Sequence, residues 1–380
     1  MLGWAVRFTS RRWVVLGLAL LAVAVIALVP WLSAALRTVF LFPYFLPAAP
    51  PSPLEALTPE PVRERVQFEA LDSPIPASLY RPPDAGTHPA LVVSLGLLPD
   101  YDSPLLDRFA EGLARDGFLV FIPRTPYLSQ GKVDVREIEA FVEAFRYLQQ
   151  HPHADPSRIG FAGFSLGASL MTLAAADPRI RDEVALVSFF GGYYDARDLI
   201  MAMTTQTLEN DGQLEFWRPE ESTVLHLRRL LIEGLPEEAD RHLLGRALLE
   251  GEPVATAELA SLSSEGRLVY DILTADDPAE SRALLAQLPA AAQRELDALS
   301  PRSVVSELRT KVFILHDRAD AVVPWVESRH LTRALPPGTL GRYTEIRLFE
   351  HVLPGENPWS ATGEVAKLFA HLYAMVLFLG

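Results

Sequence analysis

The chain has 380 residues, 49% of them hydrophobic and 22% charged, enough to bury one sizeable core plus an inserted module. Its net charge of −14, with no basic stripe to offset it, argues against nucleic acid and anionic membrane surfaces as partners of the soluble part. The absence of cysteine excludes disulfides, thiol nucleophiles and cysteine metal sites. No His/Asp/Glu group has metal-ligand spacing and no glycine-rich phosphate loop occurs, so neither metal nor cofactor is implied.

Trp13 to Leu32 is an uncharged apolar run long enough to cross a bilayer, broken only near its end by Pro30. Arg7, Arg11 and Arg12 precede it, which by the positive-inside rule leaves the N-terminus cytoplasmic and sends the body outside. A cleaved signal peptide competes, with Ser33-Ala34-Ala35 as its cleavage site. The length of the run and the apolar character of Val39 to Leu46 favour an anchor. Prolines 43, 47, 50, 51, 53, 59 and 61 then describe a semi-rigid stalk.

Arg63 to Ala70 and Pro76 to Tyr80 read as an antiparallel pair. Ala90 to Leu95 is a strand leading into Ser94-Leu95-Gly96-Leu97-Leu98-Pro99. A helix over Leu105 to Arg115, a strand over Phe118 to Ile122 and an amphipathic helix over Asp134 to Gln150 follow. This alternation implies a parallel sheet wrapped by helices.

Next comes the most informative stretch, Gly163-Phe164-Ser165-Leu166-Gly167. A β-like run, Arg158 to Ala162, precedes it, and a helix-like run, Leu166 to Ala176, follows. A serine at the apex of such a strained strand-to-helix turn needs nearly side-chain-free neighbours, which Gly163, Gly167 and Ala168 supply. This is the pattern of a serine nucleophile. Val184 to Phe190 is a further strand, with Asp195 just beyond it.

A long segment with Leu and Ala at helical intervals then intervenes, over Leu225 to Glu233, Asp240 to Glu250, Leu268 to Leu273 and Ser281 to Leu288. Lys311 to Leu315 reads as a buried strand and runs into His316-Asp317-Arg318-Ala319-Asp320-Ala321-Val322-Val323-Pro324. Tyr343 to Phe349 is another strand, leading to Glu350-His351. The terminal run Val365 to Leu379 is apolar, but Lys367 and His371 interrupt it, which marks a core helix rather than a second span.

Together these residues resemble the α/β-hydrolase superfamily, of the dienelactone hydrolase-like, serine esterase type with a helical cap. The resemblance covers about residues 62 to 195 and 300 to 380. It implies an α/β fold with a mostly parallel central sheet, divided into an anchor and stalk (1–60), a first core part (61–195), a cap (196–300) and a second core part (301–380). Carried over by position, Ser165 is the nucleophile, Asp320 the acid in its Asp-x-x-Val-Pro context, and His351 the base. Asp317 and Asp195 are rival acids, and His316 precedes the acid, the wrong order for a base in this family. The resemblance places one oxyanion donor at the backbone N–H of Leu166 and the second at Leu97, or failing that Leu98; relatives often carry His-Gly here, and only Gly96 is retained. It implies a small-molecule ester or similar acyl substrate, with a thioesterase, an acyltransferase or a catalytically silent binding module as alternatives.

Overall fold

The computed structural model describes residues 28–46, 51–351, 353–354 and 361–379. Most of the Trp13–Leu32 run and residues 47–50 of the connector lie outside them. A helix over residues 28–41 (α1) passes into a 3-10 turn, Phe42–Phe45, and a short helix Pro53–Leu57 (α2) is capped by the Ser52 hydroxyl. A β-hairpin of Val62–Ala70 (β1) and Ser73–Arg81 (β2) leads to His88–Ser94 (β3), Pro104–Arg115 (α3), Leu119–Pro123 (β4), Pro126–Ser129 (α4) and Arg136–Gln149 (α5). Then come Ala154–Phe164 (β5), Leu166–Ala175 (α6) and Leu186–Phe190 (β6).

The insertion opens with Ala196–Thr205 (α7) and a hairpin, Thr207–Asn210 (β7) and Gln213–Phe216 (β8). Asp211 and Gly212 turn that hairpin with φ of 53° and 78°, as a two-residue turn matched to strand twist requires. Helices Glu221–Glu233 (α8), Glu238–Leu248 (α9), Thr256–Leu259 (α10), Ser264–Thr274 (α11), Pro278–Leu285 (α12) and Ala290–Ala298 (α13) complete it. The chain returns through Lys311–Asp317 (β9), Val326–Ala334 (α14), Leu340–Ile346 (β10) and Thr362–Leu379 (α15).

One sheet of eight strands runs in the order β1-β2-β4-β3-β5-β6-β9-β10. Strand β2 is antiparallel to both neighbours, and from β4 onward every pairing is parallel. Successive side chains point to opposite faces, and the burial follows. Val92, Leu119 and Phe121 join Phe141, Phe145 and Leu170 on one face, while Leu91, Val93 and Val120 join Leu106 and Leu113 on the other. Both faces are dry, as a parallel sheet demands. Substituting Ala for Phe141, which is fully buried, would cost about 3–5 kcal/mol.

The described part of the N-terminal segment packs on this body instead of standing off it. Leu41, Phe42, Tyr44, Leu46 and Leu54 are buried, and the Arg37 guanidinium forks onto the Asp116 carboxylate at 3.1 and 3.0 Å. Ser52 Oγ donates to Phe40 O at 2.5 Å. The apolar run through Leu46 that favoured an anchor is what these clusters absorb. Among the described residues, Leu28–Phe45 and Thr362–Leu379 have the length and hydropathy of a bilayer span; α15 packs against β10 and β9, as a core helix does.

Candidate active site

Ser165 stands between β5 and α6 with φ 54° and ψ −136°, a conformation that L-residues rarely adopt. The neighbours explain how the turn closes. A Cβ on Gly163 would lie 2.4 Å from Ala168 Cα, and one on Gly167 2.5 Å from Ser94 Oγ. The loop after β3 comes equally close, since a Cβ on Gly96 (φ +92°) would meet Ser165 Cβ at 3.1 Å and Leu166 N at 3.4 Å. Gly96 therefore sets the β3 loop directly beside the serine.

The two sequence candidates for the second donor, Leu97 and Leu98, differ in what their amides already bond. The Leu98 amide already donates to Leu128 O at 2.9 Å. The amides of Leu97 and Leu166 have no acceptor among the described residues. Both residues line the cavity that Ser165 faces.

Asp320 and His351 meet as expected: His351 Nδ1 donates to Asp320 Oδ2 at 2.6 Å. This fixes the tautomer and leaves Nε2 as the free lone pair. His351 also has positive φ, 64°, so it is held in a strained loop as Ser165 is. Asp320 is fully buried. Its Oδ1 accepts from the amides of Val322 (2.7 Å) and Val323 (2.9 Å), and His316 Nε2 approaches Oδ2 at 3.2 Å. Burial alone would raise this carboxyl, but the hydrogen bonds from His316 and His351 and their charges outweigh it and hold it well below the usual carboxylate range. Ser165, His351 and Val323 share one cavity. Ser165 Oγ has no hydrogen-bond partner among the described residues.

The two rival carboxylates, Asp317 and Asp195, bond elsewhere. Asp317 clamps backbone, its Oδ2 accepting from Leu348 (2.6 Å) and Phe349 (2.7 Å) and its Oδ1 from Ala319 (2.7 Å). It ties the loop after β9 to the segment that carries His351. Asp195 caps α7 through the Arg197 amide at 2.9 Å and pairs with Arg302 at 2.7 Å.

Several contributors escaped the sequence reading. His316, set aside as a base, supports the acid instead: its Nε2 lies 3.1 Å from Val323 O and its Nδ1 2.6 Å from Ser328 Oγ. Trp217 of the insertion donates its indole N–H to Asp320 O at 2.8 Å, so the cap is fastened to the acid loop. Leu227, Leu230, Leu231, Leu268, Leu288 and Leu296 are among the insertion leucines that line the cavity. Asp198, Glu327 and His330 also converge, with ligand atoms within 4.8 Å of one another. Only Glu327 and His330 are close in sequence, so spacing gave no sign of the group. Glu327 Oε2 already accepts from the amides of Tyr194 and Asp195, at 2.9 and 3.0 Å.

A family model described as BAAT / acyl-CoA thioester hydrolase C terminal matches residues 136–227, from α5 through the elbow into the insertion. The chain is similar to the thiohydrolase apmlB of Arthrinium phaeospermum, 33% identical over 135 residues, which is 32% of this chain and 42% of that protein. The chain thus spans less than half the length of this curated relative. Solved structures with a similar course include the 2,6-dihydroxy-pseudo-oxynicotine hydrolase, with TM-score 0.46, 17% identity, and 82% of this chain and 68% of that one covered. A Pyrobaculum calidifontis esterase is similar at TM-score 0.45 and 15% identity, with 91% and 92% covered. The strand order and the strand–turn–helix elbow between β5 and α6 define the class of fold, an α/β-hydrolase fold with a mostly parallel sheet flanked by helices.

Proposed function

We propose that this chain is a serine hydrolase cleaving carboxylic esters or related acyl bonds through Ser165, His351 and Asp320. The observation that carries the reading is the His351 Nδ1–Asp320 Oδ2 bond at the rim of the cavity that holds the strained Ser165. Fold alone would license no activity. Ser165 Oγ attacks the acyl carbon while His351 Nε2 takes its proton, and the amides of Leu166 and Leu97 receive the oxyanion, each such donor being worth about 3–4 kcal/mol. Leu166 also begins α6, whose dipole favours negative charge there. His351 then protonates the leaving group. Water attacks the acyl-enzyme by the reverse sequence, and Asp320 stabilises the imidazolium in both halves.

A thioester is the second reading within the same chemistry, favoured by the thioester hydrolase description of the matched family and by the thiohydrolase relative. The triad sets the reaction type and the cavity sets the acyl group. For location, the uncharged Trp13–Leu32 run behind Arg11 and Arg12 supports a membrane-anchored enzyme with its body on the extracytoplasmic face. Labelling by a fluorophosphonate probe tests the activity. Wild type should label and Ser165→Ala should not; equal labelling of both would reject the assignment.

A further inference from the structure

The cavity at Ser165 has a volume of about 1040 Å³, at the top of the roughly 300–1,000 Å³ usual for small-molecule sites. Away from the serine its wall is mostly hydrocarbon, and the charged residues on it, Asp100, Glu265 and Glu295, are acidic. The cap contributes Leu227, Leu230 and Leu268; Leu41 at the end of α1, Phe45 of the 3-10 turn that follows it and Met375 of α15 also line it. No lysine or arginine lines it among the described residues, so no cation there would pair with a phosphorylated or carboxylate-bearing leaving group.

The helix that ends in this wall turns its other face outward. Leu28, Val29, Trp31, Leu32, Leu36 and Val39 are each more than half exposed, with Leu32 at 66%. Phe378 of α15 is 45% exposed, and Tyr373 Oη of the same helix donates to Trp31 O at 3.4 Å, which joins the two helices on this side. A contiguous apolar stripe of this kind is unfavourable in water and marks an interaction surface. It continues the uncharged run from Trp13, and a bilayer matches its chemistry. One helix therefore presents apolar surface to solvent on its outer face and to the catalytic cavity at its end.

Granted the hydrolase reading, we infer that the substrate is a neutral ester of a long, flexible acyl chain, drawn from a lipid bilayer against which the outer face of α1 lies. The cavity would take the hydrocarbon, and the absence of cationic lining would disfavour a coenzyme-A-type carrier.

The full chain in detergent or nanodiscs, with p-nitrophenyl esters from butyrate to palmitate, tests this. Each buried methylene should raise kcat/KM roughly three- to fourfold until the chain is accommodated, so octanoate, four methylenes longer, should exceed butyrate by about 80-fold or more. Palmitoyl-CoA should be at least about tenfold poorer than the neutral palmitoyl ester, by the margin a buried unpaired charge commands. Met375→Trp, or Leu230→Trp should the first fail to fold, should cut the palmitate-to-butyrate ratio at least about tenfold by filling the wall. In phosphatidylcholine vesicles carrying p-nitrophenyl palmitate, Leu32→Glu with Leu36→Glu should lower turnover at least about fivefold while soluble butyrate is cleaved as before. A flat chain-length profile with Ser165-dependent activity overturns this inference and leaves the hydrolase reading intact. Preference for palmitoyl-CoA overturns the neutral-ester assignment, and unchanged vesicle turnover in the double variant overturns the bilayer route. Hydrolysis that survives Ser165→Ala overturns the hydrolase reading itself.

Discussion

The elbow and the acid–base corner achieve the same aim, a fixed side chain at the cavity, by opposite means. At the elbow the restraint is steric. Gly163, Ser165 and Gly167 lie within five consecutive residues, and a Cβ at Gly163 would press to 2.4 Å on Ala168 Cα. At the corner the restraint is polar. Asp320 receives Val322, Val323, His316 and His351, and Asp317 receives Ala319, Leu348 and Phe349. Steric restraint depends on volume and ignores pH. Hydrogen-bonded restraint tolerates equal volume but depends on charge and on the number of acceptors.

The largest expected effect lies at the elbow. Ser165→Ala should lower kcat by about 10⁶-fold, since removal of the nucleophile alone costs about as much as removal of a whole triad. The fold should survive, because the serine leaves no core cavity and its φ of 54° is imposed from outside. Gly163→Ala should instead lose folded protein by circular dichroism, as the Ala168 backbone has nowhere to go. A folded, active Gly163→Ala variant would break the steric half of the comparison.

At the corner, an isosteric change that removes charge should be enough. Asp320→Asn is expected to lower kcat by about 10⁴-fold by releasing the wrong imidazole tautomer, with circular dichroism unchanged. The folded-state pKa of Asp320 is depressed below the unfolded value near 4, so its contribution to stability is present above that value. That contribution is lost as pH falls through the lower, folded value. The variant's stability should therefore fall less steeply in acid than that of wild type; equal slopes in acid denaturation would show that the depressed pKa is not sustained.

Asp317→Asn comes next, at about tenfold in kcat with little change in KM. An amide offers one oxygen where the carboxylate accepts three backbone N–H groups, so a buried donor is left unsatisfied at about 1–3 kcal/mol. The segment carrying His351 loosens while the cavity keeps its walls. Burial raises this carboxyl above its unfolded value. Its contribution to stability is therefore greatest at low pH and declines as pH rises through the raised value, the opposite sign to Asp320. A KM effect without a kcat effect would remove Asp317 from the positioning of the base.

The same contrast governs what the sequence disclosed. The elbow was legible because its parts are contiguous and each residue type has a steric reason. The sheet was legible because buried parallel strands leave apolar runs such as Lys311–Leu315. Asp320 and His351 were brought forward only by resemblance, since nothing in spacing tells which of Asp195, Asp317 and Asp320 will meet His351; the hydrogen bond is to Asp320. His316, Trp217 and Asp317 took roles fixed by tertiary contacts up to about a hundred residues away along the chain, as from Trp217 to Asp320. The Asp211-Gly212 turn was written in the sequence as a hairpin signal and passed unread beside the helical pattern of the insertion. The connector misled in another way. Proline density suggested a free stalk, but Ser52 caps α2 and Leu54 is buried, so the described prolines shape a docked segment. A chain starting near residue 28 should accordingly fold, whereas one starting near residue 59 should aggregate or melt early for want of Leu41, Phe42, Tyr44 and Leu46.

The smallest effect belongs to the acid that the corner does not use. Asp195→Asn should change kcat/KM less than about threefold, since its carboxylate is spent on the α7 cap and on Arg302. Asn caps a helix about as well as Asp, so the cap bond to the Arg197 amide persists. Only the charge toward Arg302 is lost, and the Arg302 side chain is 65% exposed, so water replaces its partner and the pair is worth at most about 1 kcal/mol. Thermal denaturation should show a slight loss beside near-normal turnover. A collapse of kcat in this variant, with the fold intact, would mean that the acid comes from the loop after β6, and the polar restraint would then have to be relocated from the β9 corner to that loop.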